Sequence, residues 1–551
     1  MERTIRNAPT ILLGGALVVA AALILALTAH LTFIGDCWEF LMNRRDLSAD
    51  ALFKPHNEHI VVIPVLIEQL FLRLFGMTSA TPEYVLLTIG ELGTACLLFV
   101  YVRRRVGPWL ALFAAALLLF LGPAFEVLLW TFEICFVGSA FFGLAMLLAL
   151  ERGDRRGDIV ACVCLVICFG FSSLGIAFAV AAAVAVLTGP RESWLRRAYV
   201  VAIPVLLFAI WYAGWGHDAE SHLTLRNVLA SPRFVVESMA VALGSVFGLG
   251  TNPLGGSADP VWGRILLVAL VLAVVYRQYR RPGFPVTLWP VAAGAAANWF
   301  LTAFNEMPGR EPAASRYQYI GCIFVLMILA NLLKDVRLSR KALVAGAVIT
   351  AAAVMTNVVV LKDGKNFYQE LATLTRSDTA ALEIARPTVD PEFALGPEVA
   401  GTPTLVDISA ERFFTAVDEY GSPAYTPEEL AQAPEPGRRQ ADIVLSKALP
   451  LATDTLLGAY KRRGAAGCVL ASGEGAPPEV AVGPGVTRIE VAPGPQASFS
   501  LRRFAEGEYP VTTAGSPGGA AVLLTIPRDE APQPWHLHVE ASQTVRVCPP
   551  G

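Results

Sequence analysis

The sequence predicts an α-helical polytopic membrane protein with about eleven transmembrane helices, followed by a C-terminal extracytoplasmic domain of α+β or β-sandwich type. Three observations predict it. The 551 residues are 54% hydrophobic and 16% charged, with a mean hydropathy of +0.53, whereas a soluble domain carries about 25% charged residues. The apolar residues are gathered into long runs up to Leu361, beyond which Pro, Gly and Glu become frequent. Basic clusters follow the runs at alternate ends. The formal charge of -3, from 43 Lys+Arg against 46 Asp+Glu, excludes nucleic-acid binding by a basic surface. Nine cysteines are too few for a disulfide scaffold.

A hydrocarbon core about 30 Å thick asks for roughly 20 apolar residues per helix, fewer inside a bundle. The first run, Thr10 to Ile34, follows Arg3 and Arg6 and exceeds the signal-peptide core of about 7–15 residues. It is read as a retained helix with a cytoplasmic N-terminus. The further runs are Tyr84–Val102, Trp109–Leu121, Val127–Leu150, Ile159–Phe171, Gly175–Leu187, Ala198–Tyr212, Trp262–Tyr276, Pro285–Phe304, Tyr317–Leu333 and Ala342–Leu361. Basic clusters lie at Arg103–Arg105; Arg152, Arg155 and Arg156; Arg191, Arg196 and Arg197; Arg277, Arg280 and Arg281; and Lys334, Arg337, Arg340 and Lys341. The positive-inside rule puts all of them in the cytoplasm of an inner or plasma membrane. Counting Phe234–Leu249 as a span would place the Arg277 cluster outside, so that stretch is read as a re-entrant or interfacial helix. The short runs Ile159–Phe171 and Gly175–Leu187 meet at Ser172-Ser173-Leu174, which predicts a depression there. Residues 1–361 form the membrane domain, with a first outer loop at 35–83. Residues 362–463 form a mixed helical extracytoplasmic region, and 464–551 a β-rich domain.

The outer loops carry the chemistry. GDCWEF (35–40), NRRD (43–46) and FKPHNEH (53–59) follow the first span. Asp36 and Glu39 sit where the helix leaves the bilayer. A partly desolvated carboxylate there makes a good general base, and the plainer reading of Asp36 is a helix terminator. Three readings stand open for His56, Glu58 and His59: a divalent metal site with Asn57 beside it, phosphate or sugar contact, or a hydrogen-bonded cap. The spacing is not that of a helical H-E-x-x-H site, and Pro55 marks a turn. The run Ile60–Phe75, interrupted by Pro64, Glu68 and Arg73, suits a helix lying in the outer interface. Arg310, Arg316, Tyr317 and Tyr319 in NEMPGREPAASRYQY (305–319) face outward. Guanidinium forks suit phosphate and tyrosines suit the headgroup level; an anchoring belt is the plainer reading. His217, Asp218 and His222 fall in a polar loop and are read as solvated. Glu126 and Glu133 flank the outer end of Val127–Leu150, with Glu133 a turn or two inside the membrane.

In the tail, Ala410–Tyr420 and Pro427–Ala433 read as helices. VTRIEVA (486–492), ASFSLRRF (497–504), AAVLLTI (520–526), WHLHVEA (535–541) and TVRVC (544–548) read as strands punctuated by Gly and Pro. Cys468 and Cys548 bracket this region in an oxidising compartment, where a disulfide between them is expected. Cys162, Cys164 and Cys168 are read as membrane packing. His536 and His538 alternate on a strand, toward solvent.

The outer loop with its Asp after the first span, the juxtamembrane pair ending in Leu70-Phe71-Leu72-Arg73-Leu74-Phe75-Gly76, the short helix pair around Ser172–Gly175 and the Arg316-Tyr317 start of a late helix together resemble one family. The layout of residues 1–360 is similar to that of the GT-C membrane glycosyltransferases, the bacterial members related to protein mannosyltransferases and aminoarabinose transferases. The resemblance implies Asp36 as catalytic base and Glu39, from Asp-Cys-Trp-Glu instead of an adjacent Asp-Glu, as the second carboxylate. It implies Arg316 and Tyr317 at the phosphate of a polyprenyl-phosphate sugar, with Lys54, His56, Asn57 and His59 as further substrate or phosphate contacts. The donor would be lipid-linked, since no nucleotide-sugar DxD signature is evident. The acceptor would be a saccharide, lipid or protein of the cell envelope, and the transfer would invert the sugar. Glu58, with His56 and His59, would hold a divalent metal if one is used. A transporter or flippase of a lipid-linked saccharide, or a non-catalytic scaffold displaying the tail, are the competing functions.

Overall fold

The computed structural model describes all residues except 1, 251–259, 335, 337, 401–404, 461–466, 473–478, 506–508 and 549–551, and only the backbone of 2–6. Arg337, the side chains of Arg3 and Arg6, and Gly464 as a domain start therefore lie outside the described residues. Two compact units emerge. The first comprises Met1–Leu31, Arg44–Phe71 and Ala80–Tyr368; the second comprises Thr32–Asn43, Leu72–Ser79 and Gln369–Gly551.

The helices of the first unit are α1 (Glu2–Thr28), α2 (Ala49–Phe53), α3 (Val62–Phe75), α4 (Thr81–Val106), α5 (Pro108–Leu119), α6 (Phe125–Leu129), α7 (Ile134–Leu150), α8 (Arg155–Phe171), α9 (Gly175–Leu187), α10 (Trp194–Arg197), α11 (Tyr199–Gly214), α12 (Leu225–Val246), α13 (Val261–Arg280), α14 (Leu288–Phe304), α15 (Ser315–Leu332) and α16 (Arg340–Ala385). The last is a single helix of 46 residues, so the expected boundary at Leu361 falls within it.

Side-chain bonds fix which helix ends lie together. Arg105 meets Glu151 and Asn331, Thr287 donates to the same Asn331, and Arg197 pairs with Asp158 and bonds the Leu150 carbonyl. Arg277 and Lys334 line one pocket. These contacts define a basic end. At the other end Ser173 meets Glu58, Trp211 donates to the Phe53 carbonyl, and Asn227 bonds the Phe304 and Glu306 carbonyls. Helices α4, α7, α8, α9, α11, α14 and α15 run between these two ends, with α1, α5, α13 and α16 beside them.

Helix α12 is the informative exception. Its 22 residues are long and apolar enough to cross a membrane. Both of its ends nevertheless lie at the end opposite the basic clusters. Asn227 in its first turn bonds the α14–α15 connection, and Ser245 in its last turn bonds Gln318 in the first turn of α15. The placement of both ends agrees with the re-entrant or interfacial reading, and the helix is longer than the sequence suggested because Leu225 to Arg233 also joins it. Helix α3 behaves similarly: Leu66, Leu70 and Leu74, at spacings of one helical turn, are all exposed, as an interfacial apolar stripe requires.

Small residues let the bundle close. A Cβ on Gly138 would overlap the Phe171 ring and one on Gly143 the Phe178 ring, so α7 approaches α8 and α9 where only hydrogen fits. One expectation needs correcting. The span read as Val127–Leu150 is broken at Trp130, whose extended backbone (φ -127°, ψ 119°) separates α6 from the turn Thr131–Glu133 that leads into α7 at Ile134. A second break, a bend of 46° between α5 and Gly122–Leu129, falls at Gly122-Pro123. Glu133 immediately precedes α7.

The second unit continues with α17 (Pro397–Ala400), α18 (Ala410–Tyr420), α19 (Pro427–Gln432) and α20 (Glu435–Ala448), and with strands β1 (Ala394–Leu395), β2 (Ile408–Ser409), β3 (Ala452–Leu457), β4 (Val469–Leu470), β5 (Glu479–Val482), β6 (Gly485–Val491), β7 (Ala497–Arg502), β8 (Tyr509–Ala514), β9 (Ala520–Ile526), β10 (Trp535–Glu540) and β11 (Val545–Cys548). Beside the β1–β2 pair there are two antiparallel sheets, ordered β5-β10-β7-β8 and β3-β9-β6-β11-β4. Their inner residues alternate along the strands, among them Phe499, Leu501, Val522, Leu524, Trp535 and Leu537. The sandwich thus starts at Ala452, earlier than residue 464. Edge strand β3 is exposed throughout, which is why ATDTLL carries no buried-strand pattern. Asp442 of α20 accepts the backbone N–H groups of Arg503, Phe504 and Ala505, tying helix to sheet. Burial raises its carboxyl above the usual range despite those three bonds. Cys468 and Cys548 are bonded to each other beside the β4–β11 pair.

Candidate functional site

In the first unit the segment 54–60 is held from three sides. Arg44, 2% exposed, donates to the carbonyls of Lys54 and Pro55 at 2.8 and 2.9 Å. Trp211 of α11 donates to the Phe53 carbonyl at 2.8 Å. Ser173, in the turn between α8 and α9, donates to the Glu58 carbonyl and accepts from the Ile60 N–H. His56 and His59 exchange backbone hydrogen bonds at 2.9 and 3.0 Å around Asn57, whose φ is +50°. Asn tolerates that left-handed conformation better than most residues. Pro55 and Asn57 thus make a tight turn, as Pro55 marks it in the sequence.

The turn presents Glu58 and His59 to a cavity of about 130 Å³. Phe136 of α7, Ser173 and Leu174, Asn298 and Thr302 of α14, Asn305 and Tyr317 complete its lining, so the expected depression at Ser172–Leu174 exists. Arg310, from the α14–α15 connection, donates to Glu58 at 2.7 Å. His59 Nε2 stands 3.7 Å from the same carboxylate oxygen, a charge contact too long for a hydrogen bond. Its ring meets Phe136 edge-on, and the His56 ring lies 5.0 Å from Phe132. Burial would raise the Glu58 carboxyl, but the charges of His59 and Arg310 and the Arg310 hydrogen bond hold it below the usual carboxylate range. Burial pushes the His59 imidazole below its ordinary value; Glu58 opposes this, while His56, Arg310 and Arg316 reinforce it. His59 is therefore a neutral imidazole at pH 7, beside an ionised Glu58 whose lasting partner is Arg310.

Arg316 opens α15 and is clasped by Glu126. Its Nη2 lies 2.9 Å from one oxygen, its backbone N–H donates to the other at 3.1 Å, and the Glu126 N–H donates to Ser315 Oγ at 3.0 Å. Arg316 is thus a paired cation, one third exposed, which an incoming anion must share with Glu126. Lys54 is exposed, and Tyr317 lines the cavity.

The metal reading of His56, Glu58 and His59 does not fit this arrangement. Among the described residues no three His, Cys, Asp or Glu side chains gather as ligands, and the Glu58 carboxylate is engaged by Arg310.

Asp36 and Glu39 belong to the second unit. Gly35, at φ +57°, bridges Leu405, and fully buried Trp38 donates to the Phe33 carbonyl and packs on Phe413 of α18. A π-helical turn over Glu39–Asn43 follows, in which Asn43 donates to Glu39 at 2.5 Å and accepts from Arg412 of α18 at 2.7 Å. The tail therefore positions this segment, and both carboxylates are half-buried. Sequence reasoning missed Arg44, Asn298 and Asn305. Arg44 sat in NRRD without a recognised partner, Asn298 lay in a run read only as apolar, and Asn305 opened a loop read for its arginines and tyrosines.

No family model matches the chain, and no curated protein matches it. Among solved structures, the crystal structure of ArnT from Cupriavidus metallidurans bound to undecaprenyl phosphate is similar to 77% of this chain and 91% of that one, with a TM-score of 0.42 and 13% identity. A likeness of that size assigns neither residues nor substrate.

Proposed function

We propose that this protein is an inverting GT-C-type glycosyltransferase of a cell membrane that moves a sugar from a polyprenyl-phosphate donor to an acceptor hydroxyl in the cell envelope. The observation that carries this reading is the gathering of Glu58, His59 and Tyr317 around one cavity, with Arg310 bonded to Glu58, at the end opposite every described basic cluster. By the positive-inside rule that end is extracytoplasmic. The resemblance of the first loop and late helix to the GT-C layout supplies the roles.

In this reading Asp36 takes the proton of the acceptor hydroxyl as its oxygen attacks the anomeric carbon. The bond from that carbon to the phosphate oxygen breaks, and the lipid phosphate leaves with the electron pair. One in-line displacement inverts the sugar. Arg316, released in part from Glu126, and Tyr317 meet the departing phosphate, where charge-assisted bonds matter most. Glu39, Lys54, His56, Asn57 and His59 serve substrate binding, with the cavity asparagines offering amides to sugar hydroxyls. The test is reconstituted full-length protein supplied with labelled polyprenyl-phosphate sugars and envelope acceptors. Transfer by the wild type and its loss, by roughly 100-fold or more, in Asp36→Asn are expected. An Asp36→Asn protein with full transfer would remove Asp36 as base.

A further inference from the structure

A second cavity, of about 220 Å³, lies at the basic end. It lies where α9 ends: its 13 residues reach only about 20 Å, and the chain turns away at Thr188-Gly189 beside Leu150 and Glu151 at the end of α7. The first turn of α14 faces the vacated space through Val286, Thr287, Pro290 and Val291. With Leu147 and Leu150 these residues give it apolar walls.

Two arginines from separate helices make its polar end. Arg105, 7% exposed at its side chain, lies 3.4 Å over the Tyr101 ring and donates to Asn331, the Tyr101 carbonyl and Glu151. Those bonds use three of its five N–H groups. Arg197, 11% exposed, gives Nε and Nη2 to Asp158 and the Leu150 carbonyl. Its Nη1 has no hydrogen-bond partner among the described residues and lies 3.8 Å from where a Cβ on Gly189, in the cavity lining, would stand. Fixed guanidinium donors therefore remain available beside apolar walls, and the positive pole of α14 opens on the same space. Arg104, Arg105 and Arg197 against Glu151 and Asp158 leave the rim net positive.

We propose that this cavity holds an anionic phospholipid of the leaflet at the basic end, its phosphate on Arg105 and Arg197 and the start of an acyl chain along Leu147, Leu150 and Val291. An amphipathic ligand with one anionic head is what two forked donors at the mouth of an apolar cleft recognise. The cavity lies at the other end of the bundle from the candidate active site, so the proposal stands or falls independently of glycosyl transfer.

The experiment uses full-length protein in nanodiscs of phosphatidylcholine with a minor share of phosphatidylglycerol, followed by native mass spectrometry of the retained lipid. Phosphatidylglycerol should be enriched on the protein roughly tenfold over its share in the disc. Ala185→Phe, which fills the cleft and touches neither ion pair, should abolish most of that enrichment. Arg105→Lys, which keeps the charge and loses the fork, should weaken it. Millimolar inorganic phosphate should not displace the lipid. Equal retention of both lipids, displacement by free phosphate, or unchanged enrichment in a monodisperse Ala185→Phe protein would each overturn the proposal.

Discussion

The two ends of the helical bundle both hold arginine–carboxylate pairs, and they hold them differently. At the basic end Arg105 adds bonds to Asn331 and to the Tyr101 carbonyl of its own helix, and Arg197 bonds the Leu150 carbonyl, the last of α7, so that it caps that helix as well as pairing an acid. Their side chains are 7% and 11% exposed. At the opposite end Arg310 and Arg316 sit in or beside a loop, grip only carboxylates in the described hydrogen bonds of their side chains, and Arg316 is 33% exposed. A cation that also caps a helix cannot leave its place without undoing the helix end. One that pairs only with an acid can exchange partners with a ligand. The basic end is therefore built for permanence, and the opposite end for turnover.

The sharpest way to break that contrast is to remove the acid from a pair at each end. Asp158→Asn leaves Arg197 buried with a neutral partner, and such a break costs about 3–5 kcal/mol. Thermal unfolding in a mild detergent should show a large drop in midpoint, with transfer activity per folded molecule little changed. A midpoint within experimental error of wild type would mean that the Arg197 pair is not the fastening described.

The second largest effect belongs to the other end. Glu58→Gln removes the partner of Arg310 at a site more open to solvent, so its stability cost should fall between the surface and buried limits, at about 1–2 kcal/mol. Activity should respond more strongly, falling roughly tenfold, because the Arg310 guanidinium would swing from its place beside the cavity. If Glu58→Gln unfolds the protein as readily as Asp158→Asn, the two ends are equivalent and the division of labour is lost.

The sequence made the architecture of the bundle legible because its signal is redundant. Runs of apolar residues, alternate basic clusters and the parity of the spans all had to agree, and parity alone set α12 apart from the spans, as the bonds of its two ends to the α14–α15 connection and the start of α15 do. The strand AAVLLTI matches β9 from Ala520 to Ile526 for a similar reason, since buried central strands read as continuous apolar runs. The broken entrance to α7 was less legible, because the break falls at Trp130, an apolar residue between Leu129 and Thr131 that carries no turn signal. The candidate site was legible as residue types and not as pairs. Glu58 and Arg310 are 252 residues apart, and no local pattern announces that they meet. A separation of 190 residues likewise hides Glu126 from Arg316, which reads in the sequence as a lone cation. The metal reading failed for this reason too: three ligand-type residues in a row say nothing about an arginine arriving from elsewhere.

The smallest effect, and the finest test of the contrast, is its dependence on pH. His59 has a folded-state value below the ordinary 6.5, so folding favours its neutral form. The stability this brings is present above about pH 6.5 and is lost as the pH falls through that value toward the lower folded one. The loss is bounded by about 1.4 kcal/mol per pH unit for one group, and the neighbouring Glu58 should reduce it, since a protonated imidazole gains a carboxylate 3.7 Å away. Glu58 itself, held below its ordinary 4.5, contributes stability above that value and loses it only in stronger acid. The two windows are separate. Unfolding midpoints measured from pH 7.5 down to 5.5 should fall slightly in wild type and stay flatter in His59→Gln, whose side chain cannot take up the proton. Parallel curves for the two proteins would place the acid sensitivity elsewhere, and would leave the loop at residues 56–59 as rigid in acid as the capped arginines of the basic end.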